Sequence, residues 1–309
     1  MWRVILASLA VTTVLASLAV TTVLANGDAA AATPTYRLEL HLAPSAHSEP
    51  TMLLMTVGGP VYCMQLKALA RKVGASLACA DYATNGYRGV GSRANRREDW
   101  GNSAYLTDVA KIPGLLRGQG VRISKLVLVG VSYSGFGNAE LVATHPELRP
   151  AALIIVDSYL DLPARYAALP AGHPTKTEIE RELGGTLEEQ RAEYEARSPS
   201  HHLDGLAQAM NDGMRLVDVW SVSAGEEREF RGATCSRLAH AHWLRALAGV
   251  RGRSVVGYVT HMRHAHALWD RGRGLLALAS IRSTNRPLRV RAVAFTAGAS
   301  LPAGSYCGR

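Results

Sequence analysis

Residues 125–138, KLVLVGVSYSGFGN, constrain the fold more than any other stretch of the chain. Leu126 to Val129 form an unbroken apolar run, the mark of a strand covered on both faces. The run gives way to Gly130-Val131-Ser132-Tyr133-Ser134-Gly135, and Phe136–His145 then reads as a helix closed by Pro146. A strand that turns this abruptly into a helix needs small residues two before and two after its apex, because larger side chains collide with the neighbouring strand. Gly130 and Ser134 meet that need. The turn leaves Ser132 at the apex with its hydroxyl exposed. The free N–H groups that open the helix follow it, and they favour negative charge.

The rest of the chain repeats this strand-and-helix alternation. Tyr36–Leu42 alternates like a half-exposed strand, and Met52–Val57 is a buried strand that ends in Gly58-Gly59-Pro60. The next helix carries Leu66, Leu69, Ala70 and Val73 on one face, and Ser76–Ala80 is a short strand before Asp81-Tyr82. Residues 84–102 read as a long surface loop whose Arg93, Arg96 and Arg97 are solvated, with binding of an acidic substrate group as the alternative, and 103–119 as helical. Ala151–Val156 is a further buried strand, ending at Asp157. Between 160 and 215 the pattern is broken by Pro163, Pro170 and Pro174 around a charged helical stretch, Thr177–Ala196. Leu216–Val222 and Val255–Thr260 return to strand character, and a helix runs from about Ala267 to Ile281. This order implies an α/β fold with a mostly parallel, doubly wound sheet flanked by helices.

The turn resembles the nucleophile elbow of the α/β-hydrolase family, as G-x-S-x-S-G rather than the commoner G-x-S-x-G. That resemblance covers roughly residues 36–281. It implies acyl transfer with Ser132 as nucleophile and no cofactor. It also implies an oxyanion hole from the N–H groups of Tyr133 and Gly59, with Gly58 behind Gly59, since Pro60 has no N–H to offer. The family's base lies between the last strand and last helix, where His261, His264 and His266 stand. His266, with Ala265 before it and the helix directly after, fits best, and His264 is second. The acid usually follows the penultimate strand, which makes Glu227 or Glu226 the candidate and Asp157 the main alternative. A helical cap is commonly inserted where 160–215 lies. Two other classes compete: an exported binding protein that keeps the fold without the chemistry, and a metal enzyme built on the three histidines. The latter lacks a second ligand cluster or an H-E-x-x-H helix, so no metal is expected.

With 309 residues and 48% hydrophobic content, the chain can bury a sizeable core. Its formal net charge of +9 comes from scattered Lys and Arg, with no interleaving of basic and aromatic residues. It therefore reads as solvated surface and not as a nucleic-acid site. The expected partner is a small-molecule or peptide substrate. Residues 1–32 read as a signal peptide: Met1-Trp2-Arg3, an apolar run to Leu24, and small residues at Ala25 and Ala29–Ala32. The tandem ASLAVTTVL, residues 7–15 and 16–24, lengthens the run towards membrane-spanning size, so a retained anchor is the alternative to a secreted or extracytoplasmic product. Residues 33–281 make the hydrolase domain, and 282–309 read as an appended tail. In an oxidising compartment the four cysteines allow two bridges in three connectivities. One bridge is expected among Cys63, Cys79 and Cys235, and Cys307, near the chain end, is expected unpaired.

Overall fold

A computed structural model describes residues 37–58, 60–81, 100–222, 254–282, 284 and 288–292. The candidate signal peptide, Gly59, the three loop arginines, Glu226, Glu227, Cys235 and Cys307 lie outside the described residues. Among the described residues no helix is long and apolar enough to cross a membrane.

The strands are β1 (Arg37–His41), β2 (Thr51–Val57), β3 (Ser76–Asp81), β4 (Ile123–Val131), β5 (Ala152–Val156), β6 (Arg215–Val222), β7 (Ser254–Thr260) and β8 (Arg291–Ala292). They form one sheet in the order β1-β3-β2-β4-β5-β6-β7-β8. The inner pairs are parallel, and β1 and β8 run antiparallel to β3 and β7 at the two edges. The sheet thus extends past residue 281, where the sequence reading stops it. Leu288 is buried, and the first residues of the tail add the edge strand.

The apolar runs are continuous because both faces of the inner strands are covered. Along β4, Leu126 and Leu128 enter one core and Val127 and Val129 the other. Helices α2 (Ser103–Ala110), α3 (Ile112–Gly118) and α4 (Tyr133–Thr144) contribute to the first core, and α1 (Pro60–Val73) to the second. Each fully buried Leu or Val adds about 1.5–3 kcal/mol relative to exposure. Between β5 and β6 the chain makes α5 (Leu162–Ala168), α6 (Pro174–Leu183), α7 (Arg191–Ala196) and α8 (Leu203–Asn211). Tyr166, Ile179, Leu183 and Tyr194 from this segment join the same core as α4, so the proline-broken stretch is packed helix. After β7 comes α9 (His266–Leu278), whose Leu275 and Leu276 belong to the α1 core.

Cys63 in α1 is bonded to Cys79 in β3, with the Cα atoms 5.7 Å apart, which meets the expectation of one bridge among three cysteines. It fastens α1 to the sheet. Removing the cross-link should cost about 3 kcal/mol by the chain-entropy argument for a loop of this length.

Glu140 lies on the buried side of α4, where α8 packs against it. Its Oε1 is 3.4 Å from His202 Nε2, and its Oε2 has no hydrogen-bond partner among the described residues. Burial pushes its pKa from 4.5 up to about 8. The folded state therefore holds this proton more tightly than the unfolded chain does. The resulting stability is complete below about pH 4.5 and is lost as pH rises through about 8. Glu140→Gln, which mimics the neutral carboxyl, should be more stable than the parent at pH 8.5 by a few kcal/mol, and the gap should close at pH 5. Urea unfolding of both proteins across this range checks it; a gap independent of pH would show the carboxyl is not neutral when folded.

Candidate active site

The crossover from β4 to α4 is drawn tight by what its small residues permit. A Cβ on Gly130 would stand 2.5 Å from the carbonyl carbon and oxygen of Ser134, so no larger residue fits there. A Cβ on Gly135 would strike Ser158 Oγ, and one on Gly137 would strike the Val57 side chain. These contacts bring α4 down onto the ends of β2 and β5. Asn138, one residue on, is buried and accepts from the Val57 N–H at 3.1 Å, which pins the end of β2 to α4 just before Gly58. Gly58 itself has φ of 106°, a conformation that glycine adopts without strain.

Ser132 has φ 54° and ψ −125°, a sparsely populated region for any residue with a side chain. Its N–H donates to Val156 O at 2.8 Å, and its own carbonyl accepts from Ser158 Oγ at 2.7 Å, so β5 holds the strained turn from both sides. Ser132 is half-buried, whereas Ser134 is fully buried. The Ser134 hydroxyl is spent on Val131, accepting from its N–H at 2.8 Å and donating to its carbonyl at 2.9 Å. Ser134→Ala should therefore lower stability by about 1–3 kcal/mol while hydrolysis survives, because the lost group braces the turn without reaching a substrate. Thermal melts and ester turnover on the variant would check this. The N–H groups at the start of α4, Tyr133 first, point back along the helix axis towards the Ser132 end.

Asp157 follows β5 directly and is also held at positive φ, 54°. It is 4% exposed, which for a carboxylate demands partners. Oδ1 accepts from the Ser221 N–H at 2.5 Å, at the end of β6, and Oδ2 accepts from the Ala265 N–H at 2.6 Å, in the loop after β7. His264 Nδ1 lies 3.8 Å from Oδ2, within ion-pair range but longer than a hydrogen bond. Burial pushes the Asp157 carboxyl above its ordinary value, while the His264 imidazole and the N–H groups of Ser221 and Ala265 pull it down. Four of the non-glycine residues with positive φ among the described residues, Ser132, Asp157, His261 and Ala265, stand at the C-terminal ends of β4, β5 and β7. Strain collected there marks the end of a parallel sheet where ligands bind.

The favoured histidine of the sequence reading is not the one beside this carboxylate. His266 opens α9 and turns its Nδ1 to Asp270 Oδ2 at 3.0 Å, one helical turn on, with its ring against Trp269. His264, two residues earlier, faces Asp157 and keeps 63% of its side chain exposed, which leaves it open to a substrate. The three histidines of this loop do not converge as a metal-binding group among the described residues. The carboxylate beside His264 was visible in the sequence only as an alternative, because Asp157 at a strand end carries no signal beyond its place. Ser158 and Asn138, which brace the turn, were missed. The signal for Ser158 was the glycine opposite it, Gly135, and the signal for Asn138 was its neighbour Gly137, which makes room for Val57 to approach.

No protein-family model and no curated relative matches this chain. Solved structures do. A carboxyl esterase from Tuber melanosporum is 15% identical, with 80% of each chain covered and a TM-score of 0.51. An S-formylglutathione hydrolase from Agrobacterium tumefaciens is 14% identical over 80% of this chain and 90% of that one, with a TM-score of 0.50. A puromycin-hydrolyzing peptidase of Mycobacterium tuberculosis gives a TM-score of 0.56 at 14% identity, over 84% of this chain and 40% of the peptidase. At these identities the likeness is one of fold.

Proposed function

We propose that this chain, an α/β-hydrolase by its fold, is a secreted serine hydrolase that acts by acyl transfer on an ester-like or amide-like carbonyl. The observation that carries the reading is the strained Ser132 at the elbow, ahead of a helix N-terminus, with the Asp157 and His264 pair at the neighbouring strand ends. Ser132 is the nucleophile and His264 the base, in place of His266. Asp157 is the orienting acid, in place of Glu227 or Glu226.

In this mechanism the imidazole of His264 takes the Ser132 proton as Oγ attacks the carbonyl carbon. The imidazolium that forms is stabilised by Asp157, whose two oxygens are already fixed by backbone N–H groups. The oxyanion is received by the Tyr133 N–H and by a second N–H from the Gly58-Gly59 loop, each contributing on the order of 3–4 kcal/mol in the transition state. His264 then gives its proton to the leaving group, and water activated by the same ring releases the acyl chain. The 3.8 Å between His264 and Asp157 closes to a hydrogen bond when substrate binds, as loose free-enzyme contacts commonly do.

Labelling by a fluorophosphonate probe, with turnover of chromogenic acyl esters of graded chain length, tests the reading. A folded protein that neither labels nor turns over any ester would instead be the exported binding protein. Secretion has its own test. Product recovered from culture medium should begin between residues 26 and 33, and an intact Met1 on a soluble cytosolic product would overturn export.

A further inference from the structure

One cluster of chemically capable side chains lies away from these strand ends. Glu39 and His41 alternate on the edge strand β1, so both face the same side of the sheet, and Leu38 and Leu40 pack into the core on the other. Glu39 pairs directly with Cys79 of β3, which places both side chains on the face that α1 covers. Cys63 reaches down from α1 to the same spot. The donor atoms of Glu39, His41 and Cys63 all lie within 4.8 Å of one another, and Cys79 Sγ is bonded to Cys63 Sγ. His41 Nε2 and Glu39 Oε1 are 2.7 Å apart and their side chains about one-third exposed, so the cluster opens to solvent on their side, with the two cysteines buried behind them.

A disulfide sulfur is a poor metal ligand, whereas a thiolate is a good one. We propose that reduction of Cys63–Cys79 converts this cluster into a site for a thiophilic divalent cation such as Zn2+, held by Cys63, Cys79, His41 and Glu39. Two sulfurs, one imidazole and one carboxylate are a ligand set that tetrahedral zinc takes. Metal–ligand bonds of roughly 2.0–2.3 Å put neighbouring donors about 3.5 Å apart, so the widest spacing has to contract by about 1 Å while the two sulfurs, once reduced, move apart. The chemistry balances in two steps. A dithiol reductant gives two electrons and two protons to the S–S bond, leaving two thiols and becoming a disulfide itself. The cation then displaces both thiol protons to solvent as two metal–sulfur bonds form. Either state ties α1 to β3, the disulfide covalently and the cation by coordination. Since α1 begins at Pro60, two residues after Gly58, the helix keeps its anchor in both redox conditions.

The test uses the full chain, oxidised and phosphine-reduced, titrated with Zn2+ against a chromogenic chelator and with Co2+ followed by its thiolate charge-transfer absorption. The reduced protein should bind one cation per chain and the oxidised protein none at this site. Bound Zn2+ should protect Cys63 and Cys79 from alkylation, read peptide by peptide, which separates this site from Cys235 and Cys307. His41→Gln and Glu39→Gln leave the disulfide intact and should weaken binding to the reduced chain by about tenfold or more. Equal binding by the oxidised chain, protection of Cys235 and Cys307 alone, unchanged affinity in both variants, or no binding after reduction would each overturn the proposal.

Discussion

Ser132→Ala should lose hydrolysis by roughly four to six orders of magnitude and all fluorophosphonate labelling, with its circular dichroism unchanged. The backbone at the apex is held by Val156 and Ser158 through main-chain atoms that alanine retains. Ser132→Gly should be equally inactive and yet more stable than the parent by about 1 kcal/mol or more. Glycine adopts φ 54°, ψ −125° without the steric penalty the parent bears. A stable but inactive Gly variant is the signature of strain stored for function. Residual turnover in the Ala variant at a tenth of the parental rate would mean that another nucleophile carries the reaction.

The second large effect separates the two histidines. His264→Ala should fall by about 10⁴-fold or more in kcat, and His266→Ala by less than about tenfold, because the His266 ring is engaged by Asp270 on its own helix. Asp157→Asn should lose on the order of 10⁴ in kcat, since an amide in that place favours the wrong imidazole tautomer and offers no charge to the imidazolium. Glu226→Gln and Glu227→Gln, assayed alongside, should stay near the parental rate. Asp157→Asn also has a structural readout. Its side chain must still accept from both the Ser221 and Ala265 N–H groups, and an amide has only one oxygen for the two. Some loss of thermal stability should accompany the loss of rate, and His264→Ala should show none of comparable size. If His266→Ala is the dead variant and His264→Ala turns over normally, the loop acts in a register two residues later and Asp157 loses its role with it.

The elements that were legible in the sequence are those specified by neighbours along the chain. Continuous apolar runs from Leu126 to Val129 and from Ala152 to Val156 read as doubly covered strands because each residue needs an apolar face above or below it. The elbow was legible because a tight strand-to-helix turn excludes bulk at fixed offsets, and Gly130 shows that exclusion directly in the clash its Cβ would meet. Choosing between Ser132 and Ser134 was also local, since only one position is the apex.

What the sequence could not decide were pairings between residues far apart along it. Asp157 reaches Ser221 across 64 residues and Ala265 across 108, and these two bonds set the loop after β7 so that His264 stands beside the carboxylate. Nothing in the local string HMRHAHALWD distinguishes the two rings, because the carboxylate beside His264 follows β5 and the partner of His266 stands on the next turn of α9. The same holds for Cys63 choosing Cys79, which depends on α1 lying over β3, and for Glu39 and His41 meeting that bridge at the sheet edge. By itself the sequence determined the strands, the turn and the apex position of Ser132, since backbone geometry and side-chain volume act within a few residues. Only the tertiary structure decided which histidine, which carboxylate and which cysteines meet, because those choices rest on where separate strands end relative to one another.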